Sequence, residues 1–317
     1  MSALGRLGQL VTTLFVASVL IFVAMQVLPG DPAEVLLGMN ADPAAIAALR
    51  TEMGLDRPLV VQFTSWLGGV LTGDFGVSAT YEVPVSSLIV ERAVVSVPLA
   101  LLAVTISIGL ALPVGIFAAV RRGRGADRAA MGAALIGLSV PNMWLGLMLI
   151  YVFAVLLGVS PAGGFPGWEV GIGRAFGALW MPAVALALPQ AAILTRIVRT
   201  SVVEAMDEDY VALARAKGRS VAGAVIRHAL PNAWAPILTI IGLQFGFLVS
   251  GAVVIETVFS LPGIGRLLFQ AVSQRDLMVV AGVVFVLVAA VVVINSLCDL
   301  LAAWLNPRQR ADLGGGS

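Results

Sequence analysis

Apolar residues dominate six stretches of this chain, approximately Gln9–Leu28, Val94–Val120, Met131–Gly158, Leu179–Val198, Ala233–Ile255 and Met278–Leu305. Each reaches the roughly 17–25 residues that an α-helix needs to cross a hydrocarbon core. The pattern predicts an all-α integral membrane protein with six transmembrane helices. The first stretch reads as an anchored span rather than a signal peptide. Its apolar core exceeds the roughly 7–15 residues of a signal sequence, only Arg6 precedes it, and no small-residue cleavage site stands out.

Two polar connections interrupt this series. Pro29–Arg92 is the longest, richer in acids than bases, with turn signals at Pro29-Gly30-Asp31-Pro32 and Ala41-Asp42-Pro43. Within it, Asp42–Gly54 predicts a short helix closed by Gly54. A small folded insertion is expected there. The other connection, Ser201–Leu230, has helix formers without Pro or Gly from Met206 to Lys217. Tyr210, Leu213, Ala214 and Lys217 fall on one stripe at i, i+3, i+4 and i+7. Glu204, Asp207, Glu208 and Asp209 crowd its start, and Arg215, Lys217 and Arg219 its end, which complements the helix dipole. Gly218 is placed to stop the helix in the left-handed conformation. Ser220 can then cap a second short helix running to Leu230, before Pro231 and the next span. A rod parallel to the bilayer, fixed at both ends to spanning helices, can carry force from a soluble partner; alternatively, it lies in the headgroups.

Composition supports the membrane assignment and narrows the chemistry. The 317 residues are 59% hydrophobic and 12% charged, against about 25% charged in soluble domains. A net charge of +1 gives no electrostatic reason to expect a nucleic-acid partner. One cysteine, Cys298, excludes an internal disulfide, and one histidine, His228, excludes a multi-histidine metal site. Gly314–Ser317 reads as an appended linker.

With the N-terminus inside, most basic residues also lie inside: Arg6, Arg121, Arg122, Arg124, Arg128, Arg196, Arg199, Arg215, Lys217, Arg219, Arg227, Arg308 and Arg310. The positive-inside rule then predicts both termini and Ser201–Leu230 in the cytoplasm, with Pro29–Arg92 outside. The expected organisation is a first span in 1–28, an extracytoplasmic insertion in 29–93, a five-helix core in 94–310 containing the segment 201–230, and a tail in 311–317.

The stretch Glu208–Leu268, "EDYVALARAKGRSVAGAVIRHALPNAWAPILTIIGLQFGFLVSGAVVIETVFSLPGIGRLL", resembles the permease subunits of ABC importers of the oligopeptide/dipeptide/nickel type. "LPGDP" after the first span, "GLDRPLVVQFTSWLGGVLTGDFGVS", "LSVPNMWLGL" and "NSLCDLLAAWLNPRQR" extend the likeness over nearly the whole chain. The general permease signature has Glu-Ala-Ala, a glycine and then Leu-Pro. Gly218, Leu230 and Pro231 match its spacing, with Asn232 following. Ala212 replaces the glutamate and Leu213 and Ala214 stand for the alanines, a departure common in the peptide-type subfamily.

The resemblance implies a type I ABC importer permease fold. It makes Asp209, Tyr210, Leu213, Ala214, Arg215, Ala216, Lys217 and Gly218 the contact with an ATP-binding subunit, and Leu230, Pro231 and Asn232 a structural motif. The implied partners are a second homologous permease, two ATP-binding subunits (or a heterodimer of them), an extracytoplasmic substrate-binding protein and membrane lipid. The chain itself would bind no cofactor, ATP and Mg belonging to partner subunits. The expected cargo is a dipeptide or oligopeptide, with nickel or glutathione-like solutes as the alternative, in the bacterial cytoplasmic membrane.

Nothing in the residues points to catalysis. No G-x-x-x-x-G-K-[ST] phosphate loop occurs, and the lone Lys217 is followed by Gly-Arg. An intramembrane serine protease would need a histidine at membrane depth, whereas His228 lies beside Pro231 in the cytoplasmic connection. A stand-alone secondary transporter would need mid-bilayer ionisable groups. Here Asp299 and Glu256 lie towards span ends, and Asn295 and Asp299 are read as interhelical hydrogen-bonding residues. A translocation path draws on Ser139, Pro141, Asn142, Gln244 and Ser250, polar or helix-breaking positions inside spans. Pro141 is expected to kink the third span, Pro182 and Pro189 interrupt the fourth, and Gly242 and Gly246 suit close helix packing.

Overall fold

A computed structural model describes residues 3–27, 37, 42–52 and 54–305. "LPGDP" and the tail beyond Leu305, including Arg308, Arg310 and the Gly314–Ser317 linker, lie outside them. Every regular element described is helical: α1 Ala3–Val27, α2 Pro43–Glu52, α3 Leu59–Thr72, α4 Val85–Val120, α5 Gly125–Ser139, α6 Asn142–Leu149, α7 Ile172–Met206, α8 Asp209–Ala216, α9 Val221–Ala224, α10 Leu230–Val258, α11 Ile264–Gln274 and α12 Leu277–Leu305. A π-helical segment, Ile150–Leu156, extends α6, and a π turn, Val225–Ala229, joins α9 to α10.

Among the described residues, five helices are long and apolar enough to span a bilayer: α1 over Gly8–Val27, α4, α7, the continuous Val221–Val258 rod and α12. The expected third span is not one helix kinked at Pro141. Its halves, Gly125–Ser139 and Asn142–Leu156, meet at 95°, and counting them together gives the sixth span. Val140 and Pro141 are extended at the corner, with ψ of 120° and 137°. A residue before proline is driven out of the α region, so the helix ends there.

Other boundaries move as well. The helix that carries the second span begins at Val85 rather than Val94, within the stretch expected as the 29–93 insertion. The fourth and fifth spans lengthen to Ile172–Met206 and Val221–Val258. Leu230-Pro231 does not end a helix before a separate span begins. Proline lacks an N–H and is tolerated in the first turn of α10, which follows directly on the π turn.

The chain forms two compact units. The larger is built on Val97–Leu261, with α12 from Val293 onward. Its centre is α7, whose most apolar window is 67% buried. Leu194, Val198, Val202 and Val203 of α7 pack with Ala111 and Ala119 of α4, Val225 of the π turn, and Ala233 and Ile237 of α10. Gly115 lets α4 approach α7: a Cβ there would lie 2.7 Å from Val198 Cβ and 2.9 Å from Thr195 O. Gly242 does the same for α10 and α12, its Cβ position lying 2.8 Å from Asn295 Oδ1 and 3.1 Å from Cys298 Cβ. Asn295 therefore serves close packing here, and its Oδ1 finds no hydrogen-bond partner, contrary to the interhelical bond expected of it.

The other unit comprises Leu7–Ser96 and Pro262–Val292. In it, Phe15 and Phe22 of α1 meet Phe63 and Trp66 of α3 edge-on or tilted, and Trp66 meets Phe285 of α12. Gly54, at φ +69°, closes α2 as the sequence predicts. A second cluster joins Val85, Leu88 and Ile89 of α4, Ile264, Leu267 and Ala271 of α11, and Val279 and Val283 of α12. Asp276, fully buried ahead of α12, accepts hydrogen bonds from Ser78 Oγ (2.5 Å), Thr80 N (3.1 Å) and Val279 N (3.2 Å).

Candidate functional site

The segment between α7 and α10 is built from its ends inward. α7 stops at Met206 because the chain turns at Asp207 and becomes extended at Glu208 (φ −76°, ψ 144°). The expected helix from Met206 thus begins at Asp209. It runs to Ala216, and Gly218 follows at φ +89°. Gly218 N donates to Arg215 O (2.9 Å) and Arg219 N to Ala214 O (3.3 Å). This paired closure is the Schellman motif, which requires the left-handed residue that glycine supplies most cheaply. Ser220 caps the next helix as predicted, its Oγ accepting from Gly223 N at 3.2 Å. Asn232 donates its side-chain amide to His228 O at 2.9 Å, tying the first turn of α10 to the π turn.

The buried face of α8 differs from the predicted stripe. Val211 and Ala214 point inward onto Ala205, Ala224 and Ala229, with Tyr210 and Met206 packed beside them. Leu213 is 57% exposed, and Asp209, Arg215, Ala216 and Lys217 are exposed with it. The helix starts three residues later than expected and turns Val211 into the seat, so Leu213 and Lys217 face away. The result is a short rod with an apolar leucine and both signs of charge on its open side.

Two ion pairs near this rod were missed by sequence reasoning, which used the arginines only for orientation. Arg122, in the turn after α4, donates Nη1 to both carboxylate oxygens of Asp207, at 3.0 and 2.7 Å. Arg199 of α7 donates Nε (3.1 Å) and Nη2 (2.8 Å) to the buried Asp127 of α5, which also accepts Gly123 N at 2.9 Å. The partners lie 72 and 85 positions apart, and single-sequence patterns carry no signal for such pairing.

Among the path candidates, Asn142 begins α6 against α10: a Cβ on Gly251 would lie 2.8 Å from Asn142 Nδ2. Ser139 and Pro141 are exposed on either side of the corner, and Ser250 is exposed beside Gly251. Gln244 is not with them. It is buried and donates Nε2 to Gln190 O at 2.9 Å, holding α10 against α7. The loop after α6 is pinned to the end of α10, Gly164 N donating to Phe259 O at 2.8 Å. Gly163 has no room for a Cβ against that same carbonyl. Among the described residues no group of three or more His, Cys, Asp or Glu could hold a metal ion.

Comparison with known proteins places this geometry in a family. Residues 111–311 match the family described as binding-protein-dependent transport system inner membrane component, and residues 3–109 match the N-terminal family of the same membrane components. A Brucella abortus (strain 2308) protein with the provisional name peptide transport system permease protein is 41% identical over 310 residues, covering 98% of each chain. The glutathione transport system permease protein GsiC of Salmonella typhimurium is 39% identical over 307 residues, covering 97% of this chain and 98% of its own. An inward-facing structure of the MetNI methionine ABC transporter has a chain that matches 69% of this one and 96% of itself, with a TM-score of 0.54 at 19% identity, a likeness of fold.

Proposed function

Because this chain belongs to the binding-protein-dependent transport system inner membrane components, as the permease subunit of an ABC importer, we propose that it carries peptides handed over by a separate extracytoplasmic binding protein. It does so beside a second, homologous permease and above two ATP-binding subunits, which hold ATP and Mg. Both termini and α8 face the cytoplasm, where α8 is the coupling helix. The path passes the α5–α6 corner, with Ser139, Pro141, Asn142 and Ser250 as its candidate lining.

The observation that carries this reading is the build of α8. It is closed by a left-handed Gly218, joined to spanning helices at both ends, and leaves Leu213 outward among charges. A headgroup-lying helix would turn its largest apolar residues to one lipid face; here Val211 faces the protein and Leu213 faces away from it. ATP-driven closure of the partner subunits would displace α8, and α7 and α10 would carry that displacement across the bilayer. Peptide as cargo draws on the Brucella relative's name, and glutathione, itself a tripeptide, on the Salmonella relative's.

Two experiments test the reading. Uptake of labelled di- and oligopeptides by the reconstituted importer is expected to be competed by unlabelled peptide. Competition by glutathione alone would reassign the cargo. Single cysteines at Ala45 and Arg219, both exposed, are expected to react with an impermeant thiol reagent from opposite sides; labelling of both from one side would overturn the orientation.

A further inference from the structure

The turn Arg121–Arg124 joins α4 to α5, and the structure fastens it to α7 at two heights. At the lower one, Arg122 holds Asp207, the residue that ends α7 two positions before α8 begins. At the upper one, about two turns back along α7, Arg199 grips Asp127 with two hydrogen bonds, and Asp127 also takes the Gly123 N–H. The upper pair is partly buried, with side-chain exposures of 26% for Arg199 and 5% for Asp127; the lower is open, at 54% for Arg122 and 63% for Asp207. An exposed pair contributes little to stability. Its geometry nonetheless sets the turn directly beside the start of the coupling segment.

We propose that this turn is a second coupling element, in which Arg122 and Asp127 are positioning residues that carry the displacement of α8 into α5. The inference rests on the coupling role of α8 proposed above. α5 already packs along α7, a Cβ on Gly137 lying 3.3 Å from Ala192 Cβ; what the two pairs add is a fixed register between the first turn of α5 and the end of α7. With both pairs made, the start of α5 moves with the end of α7. The difference in motion is then taken up where α5 ends, at the extended Val140–Pro141 corner. There Asn142 lies against Gly251 of α10, so a shift of α5 bears directly on the candidate path.

The test uses the complete importer with its binding protein, reconstituted in lipid vesicles, and reads substrate imported per ATP hydrolysed. Arg122→Ala is expected to lower that ratio about threefold or more, as for residues that carry coupling between distant sites. Exchanging the charges, Arg122→Asp with Asp207→Arg, is expected to recover most of it, while each single exchange does not. A merely structural role would instead lower uptake and hydrolysis together and leave the ratio unchanged. An unchanged ratio in Arg122→Ala, or a double exchange no better than the singles, overturns the proposal. Gly218→Val run in parallel separates the two ideas. If it transports normally, the role of α8 falls; if it fails while Arg122→Ala keeps its ratio, the clamp alone falls.

Discussion

The helices α8 and α11 are both short and amphipathic, and each lies between two long helices, yet they are attached in different ways. α11 seats Ile264, Leu267 and Ala271 among Val85, Leu88, Ile89, Val279 and Val283, all branched aliphatics. Its first N–H, at Ile264, donates to Ser96 Oγ at 2.7 Å, and the buried Asp276 lies just past its end. α8 rests Val211 and Ala214 on Ala205, Ala224 and Ala229. Each buried methylene stabilises by about 0.8 kcal/mol, and an alanine floor offers few of them. One helix is thus completed by its own chain, whereas the other is held mainly by the geometry of its ends and offers its leucine elsewhere.

The sharpest way to break this contrast is at Asp276. Asp276→Ala leaves Ser78 Oγ and the amides of Thr80 and Val279 without an acceptor, at a cost of about 3 kcal/mol. A lower melting temperature for the purified complex and faster proteolysis near residues 73–84 are expected. Unaltered melting would show that α11 does not depend on this anchor. Next comes Gly218→Val, which forces a β-branched residue into the left-handed region at roughly 1–2 kcal/mol. The protein should still insert, but uptake per inserted complex should fall about tenfold, since 1.4 kcal/mol is a factor of ten in an equilibrium. Gly218→Asn should do less harm, asparagine tolerating that conformation.

Ser220→Ala removes a cap and should cost about 1 kcal/mol of local stability, visible as faster amide exchange over Val221–Ala224. Equal exchange in both proteins would mean that α9 is held by packing alone. The smallest structural effect is expected from Leu213→Ala, within about 0.5 kcal/mol for an exposed position. If α8 is presented to an ATP-binding subunit, this change should nonetheless weaken the stimulation of ATP hydrolysis by loaded binding protein. Normal stimulation would return Leu213 to an ordinary surface role.

The sequence made the spans legible because twenty apolar residues admit few other structures in a bilayer. Gly54, Gly218 and Ser220 were also legible, since left-handed closure and capping are local properties of one or two residues. What it hid was long-range. The seat of α8 is set by Ala205, Ala224 and Ala229, which no stripe within Met206–Lys217 could reveal. The corner at Pro141 followed a correct signal, but a proline alone does not distinguish a kink from a 95° break. α11 went unread because its residues sit in a Gly- and Pro-flanked stretch that reads as loop. Gln244 was chosen for the path because it is polar inside a span; its partner is the carbonyl of Gln190, 54 positions away.

The π turn at Val225–Ala229 sets an azimuth. A π turn closes its hydrogen bond one residue later than an α turn, so the chain gains an extra residue without lengthening the rod by a full turn. One residue corresponds to about 100° of rotation about a helix axis. Everything after the turn is therefore phased relative to α9 by that extra residue, including Gln244, which meets Gln190, and Gly242, which meets Asn295. Read as machinery, Val225–Ala229 is a dial between the segment that is pushed and the helix that must respond, and a single-residue deletion there would turn one against the other while leaving both intact.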